Sequence, residues 1–511
     1  MQESSSSLNN KRIAKNTLML YIRMGITLFL SLYTSRVVLN ALGVEDFGIY
    51  NIVGGVVMML SFLNNSMSMA TQRFLSYEIA RNNTGQLQKI FSTSLLIHII
   101  ISFFVLILAE TLGLYFLNNY LVIPPDRMFA ARWVYQFSVF AAILLIMAIP
   151  YNALIIAQER MVVFAYITIV DVVMRLLIVL CLSYIFFDKL IIYSFLILCV
   201  TILVQLVYWY YCRREFNEIK SKFYWDKSLF TIMMSFAGWN LFGNFAAIAF
   251  TQGLNILLNI FFGPIVNAAR GIAVQVQNTI NQFALNIQIA LNPQIIKSYA
   301  SENFEYMHSL IFRSTKFTFF LLFLVSLPVL FETEFLLKLW LKLVPDYTVV
   351  FLRLMLIVIY LDTLANPLMI SAQATGKIRV YQVCIGGILL LIPFISYIVL
   401  KFGYPPQCVF IIHIIIAIIA QIIRFLLIYK RIGLSLRNYL CNAILPILVV
   451  STISVIFPFI FSSYYYQNDL FRFIIVCISC FVPTLLAIYF LGLSKNERFF
   501  LQIKIKKILK R

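Results

Sequence analysis

Ten polar side chains share one face of an otherwise apolar stretch: Asn267, Arg270, Gln275, Gln277, Asn278, Asn281, Gln282, Asn286, Gln288 and Asn292. At about 100° per residue they fill roughly half of a helix circumference. Amides neither ionise nor attack; they bind, exchanging hydrogen bonds with hydroxyls, water or one another. A thinner stripe precedes them at Asn240, Asn244, Gln252, Asn255 and Asn259, and an earlier one ends in Asn64, Asn65, Ser66, Ser68 and Gln72. One amide in a tight bundle is accounted for by a bond to a neighbouring helix. Ten with an arginine among them point to a hydrated cavity, because hydrocarbon cannot satisfy them.

Charges inside apolar runs are the second group. Six arginines lie there: Arg23, Arg36, Arg175, Arg270, Arg353 and Arg424. Arg424 and Arg353 lie near the ends of their runs, where long side chains snorkel to water. Arg23 is deeper, Arg270 is on the amide face, and Arg36 is near the outer end of its run. The main acids are Glu110, Asp171 and Asp362. Asp171 and Arg175 stand four residues apart and can neutralise each other on one helix, as a structural pair or a coupling site. Asp362 has no opposite charge within a turn, so its partner comes from another helix or it is protonated. It is the best single candidate for proton-linked behaviour. His98 and His413 read as core histidines. The binding candidates are therefore Arg23, Arg36, Arg270, Gln275, Asn278, Gln282 and Asn244, around a cavity cationic on balance and suited to a polar anionic cargo.

The elements that position these residues follow from composition. Of 511 residues 62% are hydrophobic and 12% charged, and mean hydropathy is +0.92. Soluble domains run near 45–50% and 25%, so soluble enzymes, disulfide scaffolds and disordered chains are excluded. Apolar runs of spanning length number about fourteen. They lie at 17–41, 48–70, 91–117, 129–156, 162–187, 190–211, 230–261, 265–292, 314–336, 347–372, 379–400, 407–429, 438–461 and 470–492. With a cytoplasmic N-terminus, 27 of the 40 Lys and Arg fall on inner segments and seven on outer ones. That bias sets both termini inside. The net charge of +20 is thus mostly a topology signal, and no nucleic-acid partner is expected. The eight cysteines read as buried small hydrophobes; Cys477 and Cys480 have no second pair to make a metal site, and no metal or cofactor is expected.

The segment 212–229 mixes aromatic and basic residues as an interfacial helix on anionic lipid does. It divides spans one to six (1–211) from spans seven to twelve (230–429). Spans thirteen and fourteen (430–492) and a basic tail (493–511) follow. Weak self-similarity near an offset of 220 residues joins the halves: Leu39-Asn40 with Leu258-Asn259, Gly43 with Gly263, and Ser76-Tyr77 with Ser298-Tyr299. Matches this short are also what chance supplies.

Arg36 to Asn51 reads Arg-Val-Val-Leu-Asn-Ala-Leu-Gly-Val-Glu-Asp-Phe-Gly-Ile-Tyr-Asn, and Gln72-Arg73-Phe74 closes the second span. This pattern resembles the Wzx-type polysaccharide flippases of the multidrug/oligosaccharidyl-lipid/polysaccharide exporter superfamily. The resemblance implies an all-α membrane protein with two parallel six-helix lobes in a V around a central cavity, plus two C-terminal helices. It implies alternating access in the bacterial cytoplasmic membrane, with undecaprenyl-pyrophosphate-linked oligosaccharide as cargo. Membrane lipid and polysaccharide polymerase or assembly proteins are the implied partners. Arg23, Arg36 and Arg270 would then meet pyrophosphate and the amides sugar hydroxyls, with a proton or sodium gradient acting through Asp171, Arg175 or Asp362. Two alternatives stand beside it. A drug/cation antiporter of the same superfamily should have an acidic cavity. A polytopic polymerase or glycosyltransferase would use Glu45 and Asp46 as a metal site and usually needs a sizeable outer loop, absent here.

Overall fold

The computed structural model describes residues 2–59, 62–119, 123–182, 187–216, 224–341, 344–462, 469–495, 497–499 and 502. These residues are helical or in short turns. In chain order the helices are α1 (Gln2–Met59), α2 (Phe62–Ala80), α3 (Thr84–Asn119), α4 (Met128–Ala157), α5 (Met161–Leu182), α6 (Lys189–Glu215) and α7 (Lys227–Ala300). After these come α8 (Phe304–Phe331), α9 (Thr333–Leu341), α10 (Thr348–Ala374), α11 (Arg379–Lys401), α12 (Cys408–Ile432), α13 (Leu436–Ser462) and α14 (Asp469–Gly492). Eleven helical segments among the described residues are long and apolar enough to cross a bilayer. The stretch after Gly263 is not among them, because its amides lower its hydropathy below that of a lipid-facing span. The chain is an all-helical, multi-pass membrane protein.

Two long helical runs break at one glycine each. In α1 the break is Gly43, with φ 82° and ψ 169°; in α7 it is Gly263, with φ 77° and ψ −172°. Only glycine adopts this region readily, since a Cβ collides with its own backbone there. A hydrogen bond from Arg270 to the Thr251 carbonyl, 3.1 Å long, shows that the halves of α7 lie side by side. The same 220-residue offset recurs elsewhere. Asn82 and Glu302 both turn left-handed, with φ 53° and 57°. The next residues, Asn83 and Asn303, cap α3 and α8 by accepting from the backbone N–H of Gln86 and Tyr306, each at 3.1 Å. Shared turn geometry at one offset is firmer than a few matching letters: the chain repeats a supersecondary unit.

By packing, the chain divides into two compact units, Met1–Leu241 and Phe242–Arg511. In the first, α4 packs on α2 and α6, and α1 on α5. Its core joins Ile49 and Val53 to Val134, Tyr135, Val139 and Leu190. Arg127 ties the ends of three segments together. Its Nε donates to Asp46 at 2.9 Å and its Nη1 to Asp188 at 2.8 Å, while Asp188 caps α6 through the N–H groups of Leu190 and Ile191. Burial opposes the charge of Arg127, but the two carboxylates outweigh it and hold its pKa above the ordinary value. Asp46 is thereby committed to an arginine, and no cluster of three metal-binding side chains occurs among the described residues.

In the second unit α10 packs on α8 and α12 around Phe351, Leu352, Leu356 and Phe410. Helices α13 and α14 lie on α8 through Phe319, Phe320, Phe323, Val450, Val476 and Cys480. The Gly492 carbonyl accepts from Lys316 at 3.3 Å, and Lys316 also pairs with Glu497 at 2.9 Å. Arg313 lies 3.7 Å from the same carboxylate. The tail segment therefore clips onto α8 through a nearly buried ion pair.

Two outcomes follow from this packing. Gly43→Ala and Gly263→Ala meet open space, so each should cost about 1–3 kcal/mol in backbone strain alone, read as a lower thermal midpoint in detergent. For Glu497, burial raises the carboxyl, but the Ser494 N–H and Lys316 outweigh it and hold the pKa below 4.5. The contact should stabilise fully above pH 4.5 and fade as pH falls through the lower folded value. Acid titration of the midpoint should show this limb in the native chain and lack it in Glu497→Gln.

Candidate functional site

The first unit gathers Arg23, Asp171 and Arg175 with three tyrosines. Arg23 on α1 lies with its guanidinium 4.9 Å from the Phe164 ring centre, a cation–π contact that suits a half-buried charge. Thr168, one turn beyond Phe164 on α5, lies against the Tyr208 hydroxyl of α6, and both Asp171 and Arg23 act on that tyrosine. Asp171 accepts from Arg175 Nε at 2.9 Å. Arg175 in turn stands near Tyr50 and Tyr193, whose rings meet edge-on at 4.9 Å. Two arginines and one aspartate leave this cluster net positive. The side chain of Arg36 lies outside the described residues.

In the second unit the amide face splits. Gln275, Asn278 and Gln282 are exposed, Asn244 is half-buried, and Asn286 and Gln288 are buried. Asn286 donates back to the Gln282 carbonyl at 2.9 Å, the bond a buried amide needs. Arg270 is 4% exposed and reaches across Gly263 to the Asn255 side chain and the Thr251 carbonyl. Asn255 donates to Gln252 at 2.9 Å. His413 on α12 stands within the field of Arg270 and meets the Phe250 ring edge-on at 5.0 Å. His98, by contrast, is wholly buried and donates Nδ1–H to the Ser94 carbonyl at 2.6 Å.

Asp362 on α10 feels the charge of Arg424 on α12, with no ion pair between them among the described contacts. Arg424 also bonds to Gln421 at 3.4 Å, and Tyr381 of α11 contacts it. Arg353 donates to the Leu330 carbonyl at 3.1 Å, closing the end of α8. Sequence reasoning missed the tyrosines near Arg175, the partnership of Arg270 with the first half of α7, and the set around Arg424. Spacing signals one helix face, and these groups converge from several helices. The eight cysteines are all free.

The Asp171–Arg175 pair is about a third exposed on each side, so its coupling should lie between a surface pair and a fully buried one, at about 1–2 kcal/mol. In thermal unfolding, Asp171→Asn and Arg175→Gln should each destabilise, and the double variant should recover part of the loss. Strict additivity would show that the two groups do not interact.

No family model matches the sequence, and no curated protein matches it. Solved structures do match in fold. An outward-facing multidrug resistance MATE family transporter of the MOP superfamily superimposes with a TM-score of 0.72 at 13% identity, over 83% of this chain and 96% of that one. A MATE structure in the bent conformation gives the same score, identity and coverage. A MOP superfamily transporter from Pyrococcus furiosus, with a binding pocket of reverse polarity, gives 0.67 at 14% identity over the same shares. The chain therefore has the fold of MATE transporters.

Proposed function

We propose that this chain is a transporter that works by alternating access and carries an amphiphile with a polar head across the cytoplasmic membrane. The observation that carries this reading is the exposed set Gln275, Asn278 and Gln282 on a helix of a MATE-like fold. Exposed amides in a bilayer-spanning bundle require water or a polar cargo. The charges favour an anionic head. Arg23 and Arg175 outnumber Asp171, and no described ion pair engages Arg270. Undecaprenyl-pyrophosphate-linked oligosaccharide fits both features: arginines take the pyrophosphate and amides the sugar. Asp171 and Asp362 are the candidates for coupling to a proton or sodium gradient.

A drug/cation antiporter is the second reading, and the comparisons favour it: one structural neighbour is a multidrug resistance transporter. Its cargo would be drawn to Asp362 and Asp171. Against it stands the positive balance of the first unit.

Deletion of the gene separates the two. The flippase reading expects lipid-linked repeat units to accumulate on the inner leaflet and surface polymer to be lost. Normal surface polymer together with hypersensitivity to cationic drugs would establish the antiporter instead.

A further inference from the structure

One side chain, Arg270, hydrogen-bonds across the doubled-back α7. Thr251 and Asn255 stand before Gly263, and Asn267 and Arg270 stand after it. Arg270 Nη2 donates to the Thr251 carbonyl at 3.1 Å and Nη1 donates to Asn255 Oδ1. Beside these bonds, Leu254 and Leu258 from one half and Val266, Ala269 and Ala273 from the other share one apolar cluster. Arg270 thus supplies two side-chain hydrogen bonds that join the two halves.

Its bonds are incomplete in a particular way. Arg270 is 4% exposed, yet Nε is buried with no acceptor, as is Asn267 Oδ1 one turn earlier on the same helix. Both engaged acceptors are neutral. They satisfy two donors and leave the positive charge uncompensated, which is costly in a low-dielectric interior. His413 adds no negative charge. An anionic oxygen bonds a guanidinium roughly twice as strongly as a neutral carbonyl does. An anion that reaches Nε therefore competes with Asn255 and Thr251 for the same group.

We propose that Arg270 is a positioning residue that pins the α7 hairpin shut, and that an anionic phosphoryl head group releases the pin by drawing the guanidinium off Asn255 and Thr251. The inference rests on the anionic-cargo reading and adds a coupling step to it: head-group binding frees the two halves of α7 to splay about Gly263. The ligand class is a phosphate or pyrophosphate ester. Asn255 sets the threshold at which it acts.

The test uses the full chain in nanodiscs, made cysteine-free and spin-labelled at Phe245→Cys and Leu285→Cys, with inorganic pyrophosphate as probe and sulfate at equal ionic strength as control. Pyrophosphate should broaden the label-to-label distance distribution. Asn255→Ala should broaden it without pyrophosphate and tighten pyrophosphate binding about tenfold, the worth of one hydrogen bond to a charged group. Asn255→Asp should do the reverse, narrowing the distribution and weakening binding, a sign that a folding defect does not produce. If pyrophosphate binds but neither Asn255 variant changes distance or affinity, the pin is refuted and the anionic-cargo reading survives. If the variants shift the distances while pyrophosphate binds no better than sulfate, the release step fails together with the anionic cargo.

Discussion

A polar group in hydrocarbon has no water to fall back on, so each must be answered by another protein group or by a hydrated path. Several buried polar groups of this chain are answered within the protein. Asn286 bonds to its own helix, His98 to the Ser94 carbonyl, and Lys316 to a carbonyl and a carboxylate. Against this background of settled groups, Gln275, Asn278 and Gln282 stand out as exposed and Arg270 as buried without a counter-charge. The functional reading grows from these exceptions.

The same constraint explains where the backbone breaks. A helix satisfies its own N–H and C=O groups, so leaving it inside a bundle is expensive. The chain reverses α7 at one residue, a glycine whose φ and ψ other residues avoid. It repeats the device at Gly43, 220 residues earlier. Arg270 then links the two halves of α7 through acceptors that cost no further backbone bonds. The hairpin and its arginine are one unit, in which a change at either affects the other.

Much of the fold was legible in the sequence because spanning length and hydropathy are local properties. The amide face was legible for the same reason: a 3.6-residue period shows which residues share a side. What the period cannot show is which part of a face is covered. Asn286 and Gln282 look alike in sequence, and only packing makes one buried and the other exposed. Partnerships across long separations were equally invisible. Lys316 and Arg313 on α8 receive Glu497 from the tail segment, which no local spacing announces. Asp46 pairs with Arg127 from a distant segment, a link that spacing does not reveal. Nothing in the spacing around Asp362 pointed to the charge of Arg424 on another helix. The internal repeat was a handful of letters in sequence and became firm only as matched left-handed turns and helix caps.

The central claim is that the polar face after Gly263 meets water within an apolar bundle. Single cysteines placed on it in a cysteine-free chain test this with a membrane-impermeant maleimide. Substitutions at Gln275, Asn278 and Gln282 should label readily, whereas those at the buried Ala273, Ile280 and Ala284 should not. Failure of all three face positions to label in a folded protein would contradict the account. It would mean that the amides serve only to hold helices together.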